Sequence, residues 1–373
     1  MSALARVKRL GQAALAAAPA AAFALLAPFV CAVGRVAAQQ STPPARVAQV
    51  VEQVRRAPPA DDAYAQALAL GYALFNEGRY DESAELFGAL AARRPRDPSA
   101  LYGAALATFD AGRAADAEPL ARRAVEAARA AAAVAGAHAQ VADVRSFNAR
   151  TADALVLLAV TIAVRGDDAG ALKSAREAAA LAPESFDAQF TLGRALYGAG
   201  DAPAAARAFR SAVALKPGDA RARFFLATSL EQSGDDAGAL AAYRELASRQ
   251  PRAAEGHLGA GVLLVKHGGA EAEEGLKELT RALEINPDLY EARVALGRAL
   301  VARGRAAEAV EHLRRAAELA PGNPEPHYQL SMAYRRLGRK EDADAESEIV
   351  RRIHESRRAT PTAQEKPRVA PTP

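Results

Sequence analysis

Tryptophan is absent from the 373 residues, and cysteine occurs once, at Cys31. Cys31 lies in an apolar N-terminal stretch, so residues 39 onward contain no thiol. A disulfide, a thiolate metal site and a cysteine nucleophile are therefore excluded there. Aromatic residues make up only 5% of the chain, and Lys is scarce, with 7 against 41 Arg. Excess charge of one sign is also missing. The formal +4 belongs to Arg6, Lys8, Arg9 and Arg35, in a stretch without acids, and the remainder balances 44 basic against 44 acidic groups. A neutral body lacks the cationic field on which nucleic-acid or anionic-membrane binding depends.

Catalytic motifs are equally scarce. No G-x-x-x-x-G-K-[ST] loop or G-x-S-x-G elbow occurs, and Gly259-Ala260-Gly261 lacks the third glycine of a dinucleotide fingerprint. The histidines (His138, His257, His267, His312, His327 and His354) form neither H-E-x-x-H nor an i, i+4 pair. Asp167-Asp168 and Asp235-Asp236 resemble hydrolytic carboxylates, but both stand in the phrase G-D-D-A-G-A-L at one repeat offset. Helix capping explains that recurrence, and a single active site does not.

The N-terminus has the form of an export signal. A basic n-region precedes an uncharged run from Leu10 to Gly34, and Val36-Ala37-Ala38 offers small residues for cleavage before Gln39. The run is long enough that an uncleaved anchor stays open as an alternative. The expected location is extracytoplasmic, periplasmic or secreted, with any membrane contact confined to residues 10–34.

A glycine measures the rest. Gly78, Gly112, Gly166, Gly200, Gly234, Gly268, Gly304 and Gly338 each follow an apolar stretch, at intervals of 34, 54, 34, 34, 34, 36 and 34. Proline recurs near the block ends at Pro95, Pro183, Pro217, Pro251, Pro287 and Pro321. The glycines suit left-handed helix ends, and Asp81, Asp167, Asp201 and Asp235 suit caps for the next helix. Small residues such as Gly71, Gly193, Gly261 and Gly297 allow close approach, and Phe87, Phe209, Tyr243, Leu279 and Leu313 fill the space between repeats.

On these residues the chain resembles the tetratricopeptide repeat family over roughly 64 to 357. The fullest match is 186–219, with Leu192-Gly193, Leu196, Gly200, Ala205, Phe209, Ala212 and Pro217 at the signature offsets. The resemblance implies an all-α, right-handed superhelical solenoid of about eight helix-turn-helix units, binding a protein or peptide in its concave groove. The signature Trp is replaced by Ala67, Leu101, Leu155, Gln189, Arg223, His257, Arg293 and His327.

The expected organisation is a signal at 1–38 and a linker with a short helix at 39–63. Repeats one and two follow at 64–128, and a helical insert at 129–151 carries Val134, Val141 and Val144 on one side. Repeats three to eight with a capping helix occupy 152–357, and a disordered Pro-rich tail 358–373. The family's inward positions give candidate groove contacts at Tyr72, Phe75, Asn76, Tyr102, Phe190, Arg194, Tyr197, Thr228, Glu231, Gln232, Arg298, Tyr328, Arg335 and Arg336. Phe109 and Asp110 are further inward positions, and repeat three offers mainly Val156, Val160, Ala163 and Val164.

The reading is a non-enzymatic interaction scaffold in an envelope or secretion assembly. It implies no metal, no cofactor, no small-molecule substrate and no nucleic acid. A substrate-holding periplasmic chaperone and an enzyme with its site in the insert are the alternatives.

Overall fold

A computed structural model of the chain describes residues 43–57, 59–135 and 141–359. The expected leader, and the tail from residue 360, lie outside the described residues. Within them the chain forms seventeen α-helices and no strand, in two compact units divided between Leu215 and Lys216.

In the first unit α1 (Pro44–Arg56) precedes four helix pairs: α2 (Asp61–Asn76) and α3 (Tyr80–Arg93), α4 (Pro98–Asp110) and α5 (Ala114–Ala135), α6 (Val141–Val164) and α7 (Asp168–Leu181), α8 (Phe186–Gly198) and α9 (Ala202–Leu215). The second unit holds four more: α10 (Ala220–Gln232) and α11 (Asp236–Arg249), α12 (Ala254–His267) and α13 (Glu271–Ile285), α14 (Tyr290–Ala302) and α15 (Ala306–Leu319), α16 (Pro324–Arg336) and α17 (Lys340–Ala359).

All eight ruler glycines have positive φ. At Gly200 (φ 82°) the turn is closed by Gly200 N–H to the Tyr197 carbonyl and Asp201 N–H to the Leu196 carbonyl. The Asp201 carboxylate then accepts from the Ala204 N–H at 3.1 Å and opens α9. Asp167 and Asp235 cap α7 and α11 in the same way, accepting from Gly170 and Gly238 at 2.8 and 2.9 Å. One Gly-Asp step thus ends a helix and begins the next. Asp81 departs from this expectation. Arg79 and Tyr80 intervene after Gly78, so Asp81 falls inside the first turn of α3 and takes Arg113 at 2.7 Å instead.

Side chains of the second helices wedge between first helices. Phe87 of α3 is 1% exposed. A Cβ at Gly71 of α2 or at Gly103 of α4 would lie 2.6 Å from its ring. Phe209 against Gly193, and Leu313 against Gly297, repeat the arrangement at 2.7 and 2.5 Å. Successive first helices, α2 to α8 in one unit and α12 to α16 in the other, lie against one another, whereas second helices chiefly touch first helices. Within each unit the first helices therefore form the inner layer.

The twenty extra residues do not build a separate helix. They lengthen α5 to 22 residues and α6 to 24, with residues 136–140 outside the described set. Val134 and Val144 are exposed, so the apolar side expected for this segment does not face a core. By length and composition α6 is long and apolar enough to cross a membrane, yet over half of that stretch is buried inside the unit. At the N-terminal end α1 buries Val47, Val51 and Val54, and Arg93 donates to the Val54 carbonyl at 2.9 Å. At the C-terminal end α17 packs on α16.

The inner face as a candidate binding site

The predicted groove residues divide into those that reach the surface and those that hold helices together. Asn76, Gln232, Arg298, Tyr328, Arg335 and Arg336 are exposed, Tyr328 at 54%. Tyr72, Tyr102, Arg194, Tyr197 and Glu231 are half-buried. Two expectations are corrected. Phe75 is buried and packs on Tyr80, ring centroids 5.2 Å apart, joining α2 to α3. Thr228 is buried too, and its hydroxyl donates back to the Phe225 carbonyl at 3.1 Å. Phe190 is half-buried between Phe186 (5.6 Å) and Phe209 (5.7 Å), which makes it largely a brace. Tyr243 donates to Glu231 at 3.1 Å, and burial raises the Glu231 carboxyl.

In the first unit the first helices assemble a set of groups that the sequence reading held only in part. Tyr72 comes from α2, Tyr102 and Asp110 from α4, Asp153 from α6 and Asp187 from α8. Burial pushes the Tyr102 phenol far up, with Asp153, Tyr72, Asp187 and Asp110 adding to it. Tyr72, edge-on to Phe87 at 4.9 Å, is pushed up to about 12 by burial, then by Asp97 and Asp153. Burial raises Asp110 to about 6, and burial followed by the neighbouring Asp187 raises Asp153 to about 6. Asp110 Oδ2 is buried without a hydrogen-bond donor. Neither Asp110 nor Asp153 has an ion-pair partner among the described residues. Asp153 escaped the sequence reading because repeat three was taken as apolar. The signal available was that Asp153 and Asp187 occupy the same offset before Gly166 and Gly200.

At the missing-Trp position, Gln189 and Arg293 donate to the Pro183 and Pro287 carbonyls of the preceding turn, whereas three other polar side chains reach back to their own repeat's second helix. His257 Nδ1 lies 2.6 Å from Glu278, and His327 Nδ1 lies 2.6 Å from Glu346. Arg223, 1% exposed, meets Glu245 at 3.1 Å. These are packing roles. Three of the four paired acids are also accounted for: Asp167 and Asp235 cap helices, and Asp236 accepts from Lys266 at 2.7 Å. No group of three or more His, Cys, Asp or Glu suited to a metal occurs among the described residues.

Comparison with known proteins agrees with this architecture. A tetratricopeptide repeat model matches residues 68–133, 190–254 and 261–324, more than half of the chain, and a second matches 300–350. The chain belongs to the tetratricopeptide repeat family, and as such is a protein–protein interaction scaffold. Among solved structures it is similar to pilF of Pseudomonas aeruginosa, at 15% identity over 58% of this chain and 98% of that one, TM-score 0.47. The MamA protein is similar at 18% identity over 51% and 100%, TM-score 0.43. YrrB, described as a TPR protein with an unusual peptide-binding site, is similar at 19% identity over 49% and 94%, TM-score 0.41. No curated protein gives a significant match.

Proposed function

We propose that the protein is a non-enzymatic scaffold that holds a peptide segment or folded partner on the inner face of its first helices, in an extracytoplasmic assembly of the envelope or secretion apparatus. The observation that carries this reading is the inner layer itself. It presents half-buried aromatics beside charged side chains, the mixture that makes interface anchors. In the first unit the contacts are Tyr72, Asn76, Tyr102, Arg194 and Tyr197. In the second they are Glu231, Gln232, Arg298, Tyr328, Arg335 and Arg336. The basic, uncharged and small-residue order of residues 1–38 supports export with cleavage after Ala38.

Capture from the envelope fraction, followed by titration with the purified partner, tests the reading. One saturable partner at fixed stoichiometry is expected, lost on Arg194→Ala with Tyr197→Ala while helicity and melting stay near wild type. Weak capture of many unfolded clients would replace the scaffold with a holding chaperone. Capture unchanged by the double substitution, or lost only with the fold, would remove α8 from the binding surface.

A further inference from the structure

In the second unit one slot recurs between the two helices of a repeat. Its first-helix side chain stands eleven residues before the ruler glycine, at His257, Arg293 and His327. Its second-helix side chain follows a small residue (Gly275, Ala309 or Ala343) by three positions, at Glu278, His312 and Glu346. Repeats six and eight fill the slot with an imidazole and a carboxylate, Nδ1 to Oε2 at 2.6 Å in each. Repeat seven departs from this. Its imidazole sits on the second helix, α15, and the group across the slot is the Arg293 guanidinium of α14. Arg293 is turned to the Pro287 carbonyl, to which it donates at 2.7 Å. His312 Nδ1 is buried and has no hydrogen-bond partner among the described residues.

A neutral imidazole tolerates such a position, because it carries one N–H and leaves the other nitrogen bare. An imidazolium carries both. Its second N–H would be buried without an acceptor, and its charge would add to that of Arg293. The helices packed on α15 are α14 and α16. The charged groups acting on His312 are Arg293 of α14 and, on its own helix, Glu311 and Glu308. On α16, Glu325 lies in the first turn, His327 is held by Glu346, Arg335 by Ser347 and Arg336 by the Val301 carbonyl. Burial, then Arg293, lowers the His312 imidazole below its ordinary 6.5, outweighing the opposite pull of Glu311 and Glu308. A lowered histidine favours the fold only while neutral. The stability it allows is therefore full above about pH 6.5 and is lost as pH falls below that value.

We infer that His312 makes repeat seven acid-sensitive: its protonation in mild acid loosens α15 from α14, at a slot that repeats six and eight close with a carboxylate. Because α14 carries Arg298 in the inner layer, the loosening acts on the candidate binding surface. That consequence rests on the proposed function; the loosening itself does not, and is measured without a partner.

Hydrogen–deuterium exchange of the full chain at about pH 7.5 and about pH 5.5, each rate divided by the intrinsic rate at that pH, reads the loosening directly. Amides of α14 and α15 should lose protection in acid by up to about ten-fold, the ceiling that an ordinary imidazole value of 6.5 sets at the lower pH. His312→Gln, neutral at both pH values, should keep its protection. His312→Glu sets opposite Arg293 the carboxylate that Glu278 and Glu346 supply in their repeats, and should keep it as well. Circular dichroism at the higher pH checks that each variant is folded, and either one suffices for the comparison. Equal acid loss in wild type and a folded variant would overturn the inference. Wild-type protection in α14 and α15 that does not change with pH would overturn it without any variant.

Discussion

Replacing Gly103 by Ala tests the packing that shapes the inner face. In an open helix interior this change stabilises by about 0.5–1 kcal/mol, because Ala has less backbone entropy to lose. At Gly103, however, the new methyl would stand 2.6 Å from the Phe87 ring, and Gly71 approaches the same ring equally closely, which limits its retreat. Overpacking of this kind costs about 1–3 kcal/mol. With two close approaches to the ring the upper figure applies, so the net effect is a loss of about 2 kcal/mol. Gly88, next to Phe87 in α3, has nothing within 4 Å of its added Cβ. Gly88→Ala is therefore the matched control and should gain up to about 1 kcal/mol. Urea titration followed by circular dichroism should separate the two midpoints in opposite directions from wild type. Phe87→Leu added to Gly103→Ala should recover part of the loss, a coupling of at least about 0.5 kcal/mol for two groups in contact. Because Tyr72 rests edge-on against Phe87, the shifted ring should also weaken binding at the inner face. A Gly103→Ala midpoint at or above that of Gly88→Ala would show that Phe87 moves freely, and the wedge account would be wrong.

Asp110 and Asp153 have folded-state pKa values of about 6, above the ordinary 3.8. The stability they contribute is fully present below about pH 4 and lost as pH rises through about 6, so burial of both carboxylates, with the neighbouring Asp187 added at Asp153, weighs on the fold at neutral pH. The difference in unfolding free energy between wild type and Asp153→Asn should therefore grow by about 1–3 kcal/mol between pH 4.5 and 7.5. A difference independent of pH in parallel denaturation curves would refute this. Asp235→Ala removes the carboxylate that opens α11 and should cost about 1 kcal/mol in the same assay. Ala38→Arg should block processing, so that N-terminal sequencing finds the intact leader where wild type begins at Gln39.

The repeat count and the helix ends were legible because each rests on a local rule. Only glycine takes the positive φ at these helix ends without strain, so eight recurrences of the glycine mark eight helix ends, and after Gly166, Gly200 and Gly234 the adjoining Asp caps the next helix. Asp81 shows the reach of the rule: two residues further on, the same side chain is no longer a cap. The site was less legible because inward position along a helix does not state depth. Phe75 and Thr228 sit at offsets that face inward in the family, yet packing against Tyr80 and the Phe225 carbonyl takes them into the core. Asp153 was missed for the opposite reason. Its neighbours Val156 and Val160 are apolar, and its isolation appears only when four helices are brought together. The long α5 and α6 were half legible: their helical character shows in the sequence, but the exposure of Val134 does not.

The central claim is that the first helices form the surface that holds a partner. Affinity for the partner captured from the envelope fraction and melting temperature, measured on wild type and on Arg194→Ala with Tyr197→Ala, test it most directly. The double substitution should weaken binding about thirty-fold or more while melting stays near wild type. Unchanged binding, or binding lost only together with the fold, would contradict the claim.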